Sequence, residues 1–321
     1  MPVRTRMTVK RTLTVADLDI EFDLEFSADI NAEPIVRELP GGGYVVGYLS
    51  HDDDPLHPLN DCDGQGQIAD AREYRATWEE HTSGEAKRGY LRLEARGGHI
   101  YHEPLAVMLD VYSHGNDCWR ITGGGRYFPD EQWDVSHCAG VWWPDPCCEE
   151  HIYLTAGAEY FNAEESWFEE RRIWLQSRSV KTPPLRDKPK LPIDITFKSH
   201  HADAKWWTTY GWRLQEGDVK RRNYKTVLNA VKGCCRHLKQ PFDQEQWDCV
   251  VRKEVELCAY QAVEEYNKYL AGDAWAVCVE TFDAEGNKLT EDACWSHIGE
   301  AWAQQELEET MAYHLKGKQD A

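Results

Sequence analysis

DQEQWDCVVRKEVELCAYQAVEEYNKYLAGDAWAVCVETFDAEGNKLTEDACW, residues 243–295, changes its period part-way along. Trp247, Val250, Val251, Val255, Cys258, Ala262, Tyr266 and Tyr269 recur at helical spacing and predict one amphipathic helix over 243–273. Asp243 can cap its start and Gly272 can end it. From Trp275 the chain reads as two strands about the turn AEGN, a hairpin over 275–295. A helix followed at once by a hairpin predicts an α+β fold of antiparallel hairpins with packed helices.

The rest of the chain repeats this mixture. Residues 3–15 alternate, with Arg4, Arg6 and Lys10 on one face. DLDIEFDLEF (17–26) alternates strictly, its apolar row inward and Asp17, Asp19, Glu21, Asp23 and Glu25 outward. The two runs predict a hairpin in which Arg4, Arg6 and Lys10 lie beside part of the acidic row. PGGG (40–43) leads into the strand YVVGYLS (44–50), and LAVMLDVYSHGNDCWRITG (105–123) reads as a hairpin turning at HGND. AGVWW (139–143) is a further strand. Residues 68–82 are expected as a short helix, 147–178 as a longer one, 218–239 as a basic helix and 299–315 as a last, acidic one. DITFKSHHADAKWWTTYGWRL (194–214) reads as a hairpin. KTPPLRDKPKLP (181–192), with four Pro in twelve residues, is the expected linker. It separates an acidic α+β domain (1–180) from a basic, aromatic subdomain (193–240). A helix–hairpin–helix segment (241–321) then packs back on the first domain.

Composition limits the function classes. Of 321 residues, 41% are hydrophobic and 14 are Trp, so the chain can bury a large core. Net charge is −20, which disfavours coating DNA or an anionic membrane. The charge is uneven: residues 1–150 carry 13 basic and 28 acidic side chains, 151–240 carry 17 and 10, and 241–321 carry 6 and 18. Eleven Cys without a secretory signal predict a reducing cytoplasm, and no stretch approaches the roughly 18 apolar residues of a membrane span.

Three clusters can carry chemistry. The loop HDDDPLHPLNDCDGQG (51–66) offers Asp52, Asp54, Asp61 and Asp63 as oxygen ligands for Mg²⁺. His137, Cys138, Cys147, Cys148 and His151 offer Zn²⁺ ligands, although without a C-x₂-C pair. Lys205, Trp206, Trp207, Arg221, Arg222 and Lys225, with Tyr210 and Trp212, set stacking rings beside cations, as single-stranded nucleic acid binding requires. No nucleophile elbow, P-loop, dinucleotide fingerprint or HExxH is present.

YLSHDDDPLHPLNDCDGQGQI (48–68) and EEYNKYLAGDAWAVCVETFDAEGNKLTEDACWSHIG (264–299) together resemble a set of accessory proteins carried by phages and plasmids. The shared features are an Asp-Pro-Pro-Asp loop, here Asp52, Pro55, Pro58 and Asp61, and a Y-x-x-Y-L-x-G-D helix end, here Tyr266 to Asp273. A D-x-C-W element follows, here Asp292, Cys294 and Trp295. The resemblance implies a mobile-element origin and carries no activity with it. Together with the acidic row, whose alternate residues stand ~6.8 Å apart, it leads to the expectation of an inhibitor without a cofactor. Such a protein would bind a host defence or DNA-handling protein, in the anti-restriction or anti-CRISPR manner, by DNA mimicry. The alternatives are a Mg²⁺-dependent enzyme on nucleic acid or nucleotides, and a non-catalytic nucleic-acid-binding module.

Overall fold

A computed structural model of the chain describes residues 11–14, 21–25, 33–70, 74–83, 86–95, 100–103, 105–123, 128, 131, 133–162, 195–200, 209–214 and 221–316. The fold is α+β, with four helices and sixteen strands among these residues, in two compact units. A terminal unit combines residues 1–61 with 265–321, and a central unit comprises 62–264. The Pro-rich stretch 181–192 lies outside the described residues.

The terminal unit is built in layers on one antiparallel sheet. Strands are numbered along the chain: β3 (Ile35–Glu38), β4 (Tyr44–His51), β15 (Ala274–Phe282) and β16 (Lys288–Ile298) lie in the order β16–β15–β4–β3. The predicted turns at PGGG and AEGN are the β3–β4 and β15–β16 connections. Asp283 builds the latter, its Oδ1 accepting from the backbone of Glu285 and Asn287 at 3.0 and 2.8 Å. Nine consecutive residues of β15 are buried because it is an inner strand covered on both faces.

On one face Val45, Leu49, Trp275, Val277 and Val279 pack against Ala303, Leu307 and Met311 of the last helix, α4 (Glu300–Lys316). On the other face Val46, Tyr48, Ala276, Cys278 and Phe282 pack against Phe22 and Leu24. These two come from the expected hairpin, of β1 (Arg11–Thr14) and β2 (Glu21–Leu24), in which Leu13 pairs with Phe22. Phe22 and Leu24 are fully buried, and such burial stabilises by about 1.5–3 kcal/mol each.

Gly47 lets α4 approach the sheet. A Cβ at this position would lie 2.4 Å from Met311 Sδ and 3.0 Å from Leu307 Cδ1. Gly47→Val is therefore expected to destabilise the chain by about 1–3 kcal/mol through overpacking. Met311→Ala in the same molecule should recover part of that loss, because it removes the atom in the way. Urea unfolding of the two single variants and the double variant measures the coupling.

The central unit holds three small antiparallel sheets. One has the order β10–β9–β11–β5: β9 (Val107–His114) and β10 (Asn116–Ile121) form the hairpin predicted at HGND, followed by β11 (Val135–Trp143) and β5 (Gln67–Asp70). The second comprises β6 (Tyr74–Ser83), β7 (Ala86–Ala95) and β8 (Ile100–Glu103). The third comprises β12 (Ile195–His200), β13 (Thr209–Leu214) and β14 (Arg221–Tyr224). Helices α1 (Pro146–Asn162), α2 (Val227–His237) and α3 (Gln244–Leu270) complete it, α3 belonging from Glu265 onward to the terminal unit.

Three expectations are corrected or bounded here. Of residues 68–82, those described, 68–70 and 74–82, are strand, not helix: Ile68 pairs with Trp142, and β6 pairs with β7 over ten residues, so cross-strand partners override the helix propensity of Ala, Glu and Arg. The expected basic helix starts at Val227, because Arg221–Tyr224 pairs with β13 and Thr226 Oγ1 caps the helix by accepting from Asn229 N at 3.2 Å. The helix begun at 146 is described to Asn162, and 163–178 lie outside the described residues.

Candidate functional site

Charge divides by unit. The terminal unit carries 24 acidic and 9 basic residues, net −15, which leaves −5 for the longer central unit. Its acidic side chains come from the hairpin, the loop after β4, the turn and outer strand of the C-terminal hairpin, and α4.

Of the opening acidic row, Asp17 and Asp19 lie outside the described residues, as do Arg4, Arg6 and Lys10. Glu21 sits opposite Thr14, and Asp23, opposite Thr12, is exposed. Glu25 is half-buried and has a function the sequence did not suggest. Its backbone N–H donates to Glu280 Oε1 at 2.9 Å, and its carboxylate lies 3.4 Å from Lys288 Nζ. Glu280 is 1% exposed, accepts from Tyr48 Oη, and holds Lys288 Nζ at 2.6 Å through Oε2. Glu291 approaches the same ammonium at 3.6 Å. Burial pulls the Lys288 pKa down, but the Glu280 and Glu25 carboxylates more than offset this and hold it above the ordinary lysine value. Three carboxylates thus share one lysine at the junction of hairpin and sheet.

The Asp-rich loop is pinned rather than open. Asp52 is buried: Oδ1 accepts from Asp54 N at 3.2 Å, and Oδ2 accepts from Ser296 N at 3.0 Å and Ser296 Oγ at 3.4 Å. Asp61 Oδ2 accepts from His57 N at 2.9 Å, while Asp54 and Asp63 are exposed. The His57 ring sits 5.4 and 4.9 Å from those of Tyr266 and Tyr269, and His51 Nε2 meets the Gly272 carbonyl at 2.8 Å. Asp273 Oδ1 accepts from Trp275 Nε1 at 2.7 Å and from Glu300 N at 3.0 Å. The two motif segments therefore meet in space and tie the loop to the end of α3, the hairpin and the start of α4. The four Asp carboxylates do not converge; among the described residues no three His, Cys, Asp or Glu side chains form a cation-holding group.

The Cys and His residues proposed for Zn²⁺ also separate. Cys148 is buried at the start of α1, its thiol hydrogen-bonded to that of Cys258 of α3, which together with burial pushes it far up. Cys147 and His151 are exposed on α1. His137 and Cys138 lie on a bulge of β11, where the register shifts between Ser136 and Gly140. That bulge wraps Asp110, which is 1% exposed. Its Oδ1 accepts from Thr122 Oγ1 at 2.8 Å and Cys138 N at 3.0 Å, and its Oδ2 meets His137 Nδ1 at 3.2 Å and Arg120 Nε at 3.1 Å. Arg120 also pairs with Glu131 and lies 4.6 Å above the Phe128 ring.

No protein family, curated protein or solved structure matches the chain.

In the basic segment, Lys205, Trp206 and Trp207 lie outside the described residues. Arg221 and Arg222 stand on β14, and Lys225 is exposed just after it. Trp212 is 1% exposed and packs 5.0 Å from the His237 ring, so it is a core residue rather than a stacking platform. Cys234 and Cys235 of the same segment are buried, and burial pushes the Cys234 thiol up to about 12.

Sequence reasoning missed Glu280 and Asp110. Each is a lone carboxylate inside an otherwise apolar strand, AWAVCVETF and VMLDVYSH. That pattern is itself a signal, since a charge placed among core residues requires a partner.

Proposed function

We propose that the chain is a binding protein of mobile-element origin that inhibits a host nucleic-acid-handling protein by offering it an acidic surface. The observation that carries this reading is the segregation of charge: net −15 on the terminal unit against −5 on the longer central one. The resemblance of its two motif segments supports the origin. The surface resists rearrangement, because the Asp loop is pinned to Ser296 and Tyr269 and the hairpin to Glu280. An acidic face on a rigid support attracts a DNA-binding cleft electrostatically and competes with DNA there. The Mg²⁺ reading has less support, since Asp52 and Asp61 already serve backbone N–H groups.

The test adds the purified chain to a panel of restriction and CRISPR nucleases and follows DNA cleavage. Stoichiometric inhibition of at least one, relieved by added salt, is expected. Tight retention of nucleic acid by the chain itself, with no nuclease inhibited, would overturn the reading and favour the segment around Arg221, Arg222 and Lys225.

A further inference from the structure

Strand β16 is the outer strand of the terminal sheet, and among the described residues it pairs with β15 alone. Free N–H and C=O groups along such an edge template pairing with another chain, so natural edges are commonly blunted by lysine, proline or a covering element. Here residues 289–292 and 294 are exposed, and Leu289 is 50% exposed. The lysine of this strand does not guard the edge, because Lys288 is turned inward onto Glu280.

Acidic side chains flank the edge on both faces. Glu291 lies on the hairpin face, within 3.6 Å of Lys288 and beside Glu25. Asp292 lies on the helix face, 3.5 Å from His314 Nε2 of α4, next to Thr290, which bonds Thr281 at 2.6 Å. A strand laid along β16 presents its own side chains to the two faces in alternation. Basic residues at neighbouring positions would then meet Glu291 and Asp292, one on each face. A second copy of β16 is the wrong occupant, because pairing the strand with itself brings these carboxylates against their counterparts, and like charges across a ladder are destabilising.

We propose that β16 is the docking edge: an extended lysine- or arginine-bearing segment of the partner protein pairs with residues 289–294 and extends the sheet. This rests on the reading that the terminal unit binds a cationic partner, and it adds how the partner is held. Main-chain hydrogen bonds supply affinity and the flanking carboxylates supply selectivity.

The probe is a fluorescent peptide, Val-Thr-Lys-Lys-Thr-Val, whose two neighbouring lysines point to opposite faces of an added strand, titrated with the full chain at low and high salt, beside its Glu-for-Lys counterpart. A third peptide has the basic sequence with alternate backbone nitrogens methylated, which removes edge donors without changing charge. The basic peptide is expected to bind, and methylation to weaken it at least about tenfold. Glu291→Lys with Asp292→Lys, at exposed positions, should weaken it comparably, and amide exchange should slow in residues 289–294 when peptide is added. If the methylated and unmethylated peptides bind alike and both are lost on charge reversal, edge pairing falls while the acidic-surface reading stands. If the basic peptide binds no better than the Glu peptide, the edge proposal falls, and nuclease inhibition decides the parent reading separately. A concentration-dependent dimer abolished by the charge-reversal pair would overturn the choice of partner.

Discussion

Glu280→Ala should lower the unfolding free energy of the terminal unit by about 3 kcal/mol, because it breaks a buried ion pair from one side. The carboxylate it removes is 1% exposed and serves Tyr48 Oη, the Glu25 backbone and Lys288 at once. The buried Tyr48 hydroxyl and the Glu25 N–H would both lose Glu280 Oε1 as acceptor. Lys288, whose side chain is 26% exposed, would retain Glu25 and Glu291 and can turn to water, which moderates the loss. Glu280→Gln keeps one oxygen for Tyr48 and Glu25 but replaces the oxygen facing Lys288 by an NH2 donor, and Lys288 keeps Glu25 and Glu291, so about 1–2 kcal/mol is expected from it. Urea unfolding followed by tryptophan fluorescence separates the two. An alanine variant with an unchanged midpoint would show that hairpin and sheet are held by Phe22 and Leu24 alone.

The second large effect is expected at Asp110. Asp110→Ala withdraws one carboxylate from four donors, Arg120 Nε, His137 Nδ1, Thr122 Oγ1 and Cys138 N. Arg120 is 7% exposed and keeps Glu131, so the charge is not abandoned, yet about 3–5 kcal/mol is the usual consequence of halving such a network. The pH dependence gives an independent reading. Burial pushes the Asp110 carboxyl up, but the four donors outweigh it and hold its pKa below the usual carboxylate value. The unfolded chain therefore takes up this proton first as pH falls. The stability Asp110 contributes is fully present above the unfolded value near 3.9 and is lost as pH drops through the folded one. Asp110→Asn should be less stable at neutral pH and show a shallower loss below about pH 4. Asp145 sets the background slope: it accepts from the backbone of Gly64, Gly66, Cys147 and Cys148, and these bonds outweigh burial to hold it low as well. An asparagine variant with an unaltered acid slope would refute the assignment.

What the sequence made legible was local. The turns at PGGG, HGND and AEGN announce themselves through residues that adopt turn geometry, and the helix over 244–270 through a stripe of apolar side chains. The helix expected over 68–82 was misread because Ala, Glu and Arg favour helix, while the partners that make 68–70 and 74–82 strands come from residues 86–95 and 140–143. The site was less legible for the same reason. DLDIEFDLEF gives the burial of Phe22 and Leu24 correctly from alternation alone. That Glu25 serves an ion-paired junction depends on Glu280 and Lys288, more than 250 residues along the chain. Asp52 looks like a cation ligand until Ser296 is brought beside it.

The arrangement of strands has a consequence for biosynthesis. β4 emerges from the ribosome early, but its neighbour in the sheet, β15, follows only after the 203 residues of the central unit have been made. At about 5–20 residues per second that delay is roughly 10–40 s, during which β4 is paired with β3 alone and its other edge waits for β15. The central unit is continuous in sequence and can fold within that interval, whereas the acidic unit closes when β16 and α4 have emerged. A nascent chain interrupted before residue 274 would therefore hold β4 paired with β3 alone, its other edge open and Val45 and Leu49 without the α4 side chains that cover them, a segment for chaperones to shield.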